Sequence, residues 1–294
     1  MSRESIPVYD ICSISREKGA SEEFMADRLS DYLDKYYAQL HFPHRHSFYH
    51  LVLFTKGHGT HSIDFTNFEV KPYQVYFMVP GQVHSWHFAG KTDGYILNFS
   101  DTYFKSFLQN PHYLERFPFF SGIPEEAVST LLGEIHQQAT TLLESMLRYA
   151  GHDWKTYTDM VRVLLLQLFL LIDDSLAAHR HKGIPQQKLV LLRGFRRLIE
   201  THYRSIRLPK EYADLLYVTP NHLNALCQDL LGKTAGELIR DRVLLEAKRL
   251  LTNARMTVTE VAYDLNFQDN SYFNRFFKKY TGVTPDDFRK QFSH

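Results

Sequence analysis

Between residues 48 and 99, apolar and polar positions alternate in short runs: LVLFTKG, HSIDFTNFEV, QVYFMVPG and GYILNFS. The runs are rich in β-branched and aromatic residues, and Gly57, Gly59, Gly81, Gly90 and Gly94 punctuate them. Turn signals at this density predict an antiparallel sandwich or barrel. After about residue 102 the period becomes helical. EEAVSTLLGEIHQQATTLLESMLRYA (125–150) and WKTYTDMVRVLLLQLFLLIDDSLAAH (154–179) both carry apolar residues at helical spacing. Gly151-His152-Asp153 supplies a stop and a new N-cap, so a helical hairpin is predicted. RHKGIPQQK (180–188) is polar and holds Gly183 and Pro185, which marks a linker. Beyond it every periodic segment is helical.

The C-terminal third contains an internal repeat. PKEYADLLYVTPNHLNALCQDLLGKTAGEL (209–238) aligns with VTEVAYDLNFQDNSYFNRFFKKYTGVTPDDF (258–288). Ala213 matches Ala262 and Leu216 matches Leu265; after one inserted residue, Leu223 matches Phe273, Cys227 matches Phe277, Gly232 matches Gly282 and Thr234 matches Thr284. Each copy reads as a helix, a tight turn and a second helix, with the small alanine allowing close helix approach. Thr219 with Pro220, and Asp269, are placed to start the two second helices. Thr257 with Glu260 makes a capping box, and Gly232 and Gly282 sit where the second helices end. ELIRDRVLLEAKRLL (237–251) reads as one helix between the copies.

The second helices are amphipathic. Phe273, Phe276, Phe277 and Tyr280 form an apolar stripe in copy two, as do Leu223, Leu226, Cys227 and Leu230 in copy one. Opposite them lie Asn270, Ser271, Asn274, Arg275 and Lys278 in copy two, and Asn221, His222, Asn224, Ala225 and Gln228 in copy one. Asn pairs with adenine edges and Arg forks onto guanine, so both faces are candidate base readers. The first lacks Arg and Lys and is expected to read more weakly. Lys233, Arg240, Arg242, Lys248, Arg249, Lys278 and Lys279 are candidate phosphate contacts.

Charge agrees with that division. Residues 189–294 carry 17 Lys+Arg against 12 Asp+Glu, whereas the rest of the chain carries 17 against 21. The basic excess therefore lies with the repeat. With 294 residues, 44% hydrophobic, the chain is long enough for two cored domains. Cys12 and Cys227 follow no CxxC spacing, which suits a reducing compartment. MSRESIPVYD has no apolar signal core, and VRVLLLQLFLLI (161–172) is too short to span a bilayer, so a cytoplasmic location with no membrane partner is expected.

These residues also carry a resemblance. LPKEYADLLYVTPNHLNALCQDLLGKTAGELIRDRVLLEAKRLL followed by VTEVAYDLNFQDNSYFNRFFKKYTGVTPDDFR resembles the DNA-binding domain of AraC/XylS-type bacterial transcription regulators. The resemblance covers residues 189–290, with EAKRLL, SYFNRFFKK and TGVTPDDFR its clearest marks. It implies base-facing roles for Asn221, Asn224 and Ala225, and for Asn270, Ser271, Asn274 and Arg275. One departure stands out: the family usually places Gly in the second turn, where this chain has Asn266. Asn tolerates positive φ better than most residues. HFPHRHSFYHLVLFTKGHGTHSIDF and VKPYQVYFMVPGQVHSWHF are similar to the two cupin motifs, which implies a cupin-like sensor barrel over roughly 40–100 and helices that dimerise.

FPHRHSFYH (42–50) raises a separate question of chemistry. Metal-binding cupins present HxH, then a Glu, then a later His. His44 and His46 fill the first two places, His50 stands where the Glu would be, and His84 fills the last. The four would form a divalent-metal set for Zn, Fe, Ni or Cu. The alternative is an organic-ligand pocket walled by His44, His46, Tyr49, His50, His84 and Trp86, with no cofactor.

The expected architecture is multidomain. An all-β cupin-like (jelly-roll) barrel and a helical hairpin occupy 1–180, 181–188 link, and an all-α domain with two helix-turn-helix units joined by a long helix fills 189–294. The expected function is a ligand-responsive transcription regulator, an activator rather than an enzyme, reading two adjacent major-groove segments. Its expected partners are double-stranded promoter DNA, RNA polymerase, a small-molecule effector and a second copy of itself. A metal-dependent cupin enzyme or metal sensor fused to a DNA-binding domain is the rival class.

Overall fold

The computed structural model describes residues 6–15, 22–105, 107–110, 112–150, 154–180, 185–252 and 256–292. The chain divides between Lys182 and Gly183 into two units. The N-terminal unit holds two five-stranded sheets. The first joins β1 (Val8–Tyr9), β3 (His44–His46), β8 (Val83–Phe88), β5 (Gly59–Ile63) and β6 (Thr66–Val70), in that order. The second joins β10 (Val128–Thr130), β7 (Gln74–Met78), β4 (Tyr49–Lys56), β9 (Asp93–Phe99) and β2 (Phe24–Arg28). From β3 to β9 the chain crosses repeatedly between the sheets, as a jelly roll requires.

Period-two alternation decides what each face of the second sheet buries. Val52, Phe54, Tyr76, Met78 and Ile96 point at the first sheet and meet Ile63, Val70 and Trp86. Leu51, Leu53, Val75, Phe77, Leu97 and Phe99 point the other way, onto α3 (Glu134–Ala150) and α4 (Trp154–Arg180). The unit therefore has three layers, with the second sheet in the middle. Phe169 of α4 is fully buried there, its ring 5.1 Å from Phe120, 5.9 Å from Phe99 and 6.2 Å from Phe77. Removing such a ring typically costs about 3–5 kcal/mol. α2 (Leu29–Leu40) closes the inter-sheet core with Leu29, Tyr32 and Leu40.

The barrel is wider than the 40–100 range predicted. β2 pairs with β9 from residue 24 onward, and β10 pairs with β7 at 128–130. The predicted helix over 125–150 in fact begins at Glu134. Val128, Ser129 and Thr130 are extended because they complete the edge of β7, and Gly133 breaks the chain at φ +55. Gly151-His152-Asp153 lies outside the described residues, as does 181–184 of the predicted linker. α5 (Gln186–His202) already starts within the rest of that linker.

The C-terminal unit is all helical. Copy one is α6 (Pro209–Leu215) and α7 (Pro220–Leu231); copy two is α9 (Val258–Asp264) and α10 (Asn270–Thr281). α8 (Ala235–Leu251) joins them and α11 (Pro285–Gln291) follows. The caps form as the sequence implies. Thr219 accepts from the His222 amide at 3.2 Å, Asp269 from the Ser271 amide at 2.8 Å, and Thr257 with Glu260 closes a capping box. Gly232 and Gly282 end α7 and α10 in left-handed conformation. Leu223, Leu226 and Cys227, and Phe273 and Phe277, are buried as predicted. Leu230 and Phe276 are only half-buried and Tyr280 is exposed, because each stripe is wider than the surface it packs on.

Candidate functional site

The two sheets bring five histidines to one place. β3 supplies His44 and His46, and His44 lies directly opposite His84 of β8. β5 supplies His61, opposite Trp86. His50 comes from β4 in the facing sheet. All five are at most 2% exposed. Ring centroids lie 4.0 Å apart for His44 and His84, 4.7 Å for His46 and His84, 4.9 Å for His46 and His50, and 5.4 Å for His61 and His84.

Hydrogen bonds fix part of their protonation. His44 Nδ1 lies 2.8 Å from the Phe42 carbonyl, which can only accept. Nδ1 therefore carries the hydrogen and Nε2 the lone pair. His50 Nδ1 donates in the same way to Asn98 Oδ1 at 2.7 Å. Within the cluster, His84 Nε2 is 3.3 Å from His46 Nε2, and His84 Nδ1 is 3.2 Å from His61 Nε2. His44 Nε2, His50 Nε2, His46 Nδ1 and His61 Nδ1 are buried without a hydrogen-bond partner.

Burial pushes the His44 pKa down to about 4 and that of His50 to about 3, against the hydrogen bonds to Phe42 and Asn98 that favour the charged form. His46, His61 and His84 are held well below the usual range by burial and then by the neighbouring imidazoles, His44 and His50 among them. The cluster is thus a group of neutral imidazoles at pH 7. Such groups offer lone pairs to a ligand but lack the second, acidic proton of an imidazolium.

Of the six predicted pocket residues, His44, His46, His50, His84 and Trp86 converge, with the buried Trp86 ring 5.8 Å from His50. Tyr49 does not. It neighbours His50 on one strand, so its ring faces the opposite way and stacks on Phe99 at 4.9 Å in the helix-covered layer. There it lines a separate cavity of about 250 Å³ with Phe104, Leu108 and Tyr113. Two members of the cluster were missed. His61 lies in GTHSI, where strand alternation between Thr60 and Ser62 was the available signal. Asn98 carried no signal beyond its parity with Ile96 on β9.

In the C-terminal unit, Asn221, His222, Asn224, Ala225 and Gln228 of α7 are exposed, as are Ser271 and Arg275 of α10. Asn270 and Asn274 are half-buried, and the Asn274 amide donates to the Asn270 carbonyl at 2.8 Å. Asn224 Oδ1 accepts from the Ala235 amide at 3.1 Å, which ties α7 to α8 and leaves its amide hydrogens outward. Tyr272, one turn before Arg275, is 56% exposed on the same helix.

Two predicted phosphate contacts are engaged within the domain. Arg242 pairs with Glu200 at 2.8 Å and Glu246 at 3.0 Å, and its guanidinium lies 3.9 Å over the Tyr203 ring. Arg249 is 6% exposed and 3.6 Å from the same Glu246. Both cations are paired inside the domain. Arg240 lies 4.4 Å over Tyr280, Lys233 pairs with Asp241 at 2.8 Å, and Lys248 is half-buried. Lys278 and Lys279 are exposed in the last turn of α10.

Residues 212–291 match the family model for a helix-turn-helix domain, and residues 30–151 match that for an AraC-like ligand binding domain. The chain is 25% identical over 253 residues to the arabinose operon regulatory protein of Salmonella typhimurium, covering 82% of this chain and 83% of that one. It is 23% identical over 263 residues to the HTH-type transcriptional activator RhaS of Shigella sonnei, covering 86% and 89%. A solved structure of unsaturated fatty acid bound ToxT from Vibrio cholerae is a looser likeness, with a TM-score of 0.43 and 12% identity over 93% of this chain and 97% of that one. A sensor barrel joined to paired helix-turn-helix units defines a ligand-responsive, DNA-binding transcription regulator. The matched ligand-binding domain and these relatives are of the AraC/RhaS regulator type. No helix among the described residues is long and apolar enough to cross a membrane.

Proposed function

We propose that the chain is a cytoplasmic, homodimeric transcription activator in which α10 reads promoter DNA and α7 assists it. The observation that carries this reading is the exposed Arg275 beside Ser271 on a helix capped at both ends. A fixed helix with a forked donor on its open face is what major-groove reading needs. The face of α7 presents amides and an imidazole but no Lys or Arg, so it adds shape and weak contacts. Lys278 and Lys279 hold the phosphate backbone. The bound chain then acts on RNA polymerase, and the barrel has no catalytic role.

The dimer is assigned to α4. Met160, Val163 and Leu170 are 48%, 49% and 40% exposed, and with Gln167 they recur at i, i+3, i+7 and i+10. That is a coiled-coil seam with one polar position to set register. Effector binding at the histidine-lined end of the barrel shifts an equilibrium between arrangements of different DNA affinity. The test is selection from a pool of random duplexes by the full chain. Two recurring elements about one helical turn apart are expected. Enrichment of no sequence contradicts the reading.

A further inference from the structure

We propose that the effector is a divalent transition-metal ion, held by His44, His46 and His84 with His50 as fourth ligand. This rests on the regulator reading above and names its ligand class. Ring nitrogens of His44, His46 and His84, one from each, all lie within 4.8 Å of one another. An ion bound to imidazole at about 2.0–2.1 Å holds tetrahedral ligand atoms roughly 3.3–3.4 Å apart. His46 Nε2 and His84 Nε2 already stand 3.3 Å apart. The His50 ring, whose centroid lies 4.9 Å from that of His46, stands beside these three from the facing sheet.

The direction of the lone pairs separates a cation from other ligands. His44 and His50 commit their Nδ1 hydrogens to the Phe42 carbonyl and to Asn98. Their Nε2 atoms are left as buried acceptors without partners. An anion needs hydrogen donors facing it, and these two rings turn lone pairs inward instead. Outward Nδ1–H bonds of this kind orient metal-ligating histidines. Space argues the same way. The His44 and His84 rings are 4.0 Å apart and the His46 and His84 rings 4.7 Å, so the rings touch one another. An ion fits between their nitrogens, whereas an organic effector has to push the rings apart. An all-imidazole set selects Zn, Cu, Ni, Co or Fe over Mg or Ca.

The ion also has a route to a signal. His44, His46 and His84 belong to one sheet and His50 to the facing one. Coordination cross-links the two sheets. The ion therefore favours the conformation in which they are drawn together, which is the differential affinity that a switch requires.

The experiment uses the full chain without an affinity tag, stripped with chelator. Cobalt(II) is titrated in and its visible absorption followed, zinc is used to displace it, and DNA binding is measured with and without zinc on a duplex from the pool selection. One cobalt per chain with an intense tetrahedral all-nitrogen spectrum is expected. His84→Gln should abolish the spectrum, and Asn98→Leu, which touches no ion, should weaken binding by about 10–100-fold. Circular dichroism melting of the metal-free variants separates ligand loss from misfolding, and the wild-type spectrum needs no variant at all. DNA affinity should change with zinc in wild type and not in His84→Gln. Absence of a tetrahedral spectrum, or unchanged affinity in folded His84→Gln, overturns the site. Metal uptake with unchanged DNA affinity overturns the effector role. Metal uptake by a chain that binds no DNA under any condition supports the site and contradicts the regulator reading.

Discussion

Tyr217 and Asn266 occupy equivalent turns of the two helix-turn-helix units, and both hold left-handed backbone, at φ +55 and +58. Asn enters that region at low cost; a Tyr does so against its Cβ. The Tyr217 side chain is 97% exposed, so no packing offsets the strain. Tyr217→Gly should raise the stability of the C-terminal unit by about 0.5–1 kcal/mol, after the extra freedom of glycine in the unfolded chain is subtracted. Asn266→Gly should change it less, and Asn266→Val should lower it. Thermal denaturation of the three variants checks the order; a destabilised Tyr217→Gly would show that the turn is not strained.

Arg242 is a structural residue here. Its bonds to Glu200 and Glu246 and its place over Tyr203 join α8 to α5. Arg242→Ala leaves Glu246 enclosed without its main partner, so a loss of about 3 kcal/mol is expected. The salt dependence of DNA binding by the folded fraction should not change. A flatter salt slope with stability intact would return Arg242 to the phosphate contacts.

The same network sets a pH dependence. Burial works to raise the Glu246 pKa, but Arg242 and Arg249 beside it prevail and hold it below the usual 4.5. A carboxylate with a depressed pKa contributes stability above its unfolded value and loses it as pH falls through the folded one. The melting temperature should therefore drop below about pH 4.5. Glu246→Gln should lower it at neutral pH and lessen the acid drop; an equal drop in the variant would assign the acid sensitivity to other groups.

The α4 seam predicts an oligomeric change without a folding change. Val163→Glu with Leu170→Glu puts charges at exposed positions, where the effect on the monomer should stay within about 0.5 kcal/mol. Across a two-fold seam the like charges repel. Sedimentation velocity should show monomer for the variant and dimer for wild type. A dimeric variant would move the interface elsewhere.

What could be read from the sequence was mostly short-range. The caps at Thr219, Thr257 and Asp269, and the left-handed Gly232 and Gly282, each depend on three or four neighbouring residues, and all were legible. Parity along a single strand would put His44, His46 and His50 on one face; the structure instead divides them between β3 and β4 of facing sheets, and alternation on β4 sends Tyr49 away from them. Long-range partners were not legible. β2 finds β9 across some seventy residues, and nothing in FMADR announces it. Val128–Thr130 is a strand only because β7 has a free edge. Arg242 looked like any basic residue on a helix until Glu200, forty-two positions earlier, came beside it.

DNA affinity of wild type, Arg275→Ala and Lys279→Ala, measured by fluorescence anisotropy on a selected duplex and a scrambled one over a range of salt, tests the central claim most directly. Arg275→Ala should lose about 1–3 kcal/mol on the selected duplex and little on the scrambled one. Lys279→Ala should weaken both alike and flatten the salt dependence. Equal losses on both duplexes for Arg275→Ala would contradict the account, because α10 would then hold DNA without reading it.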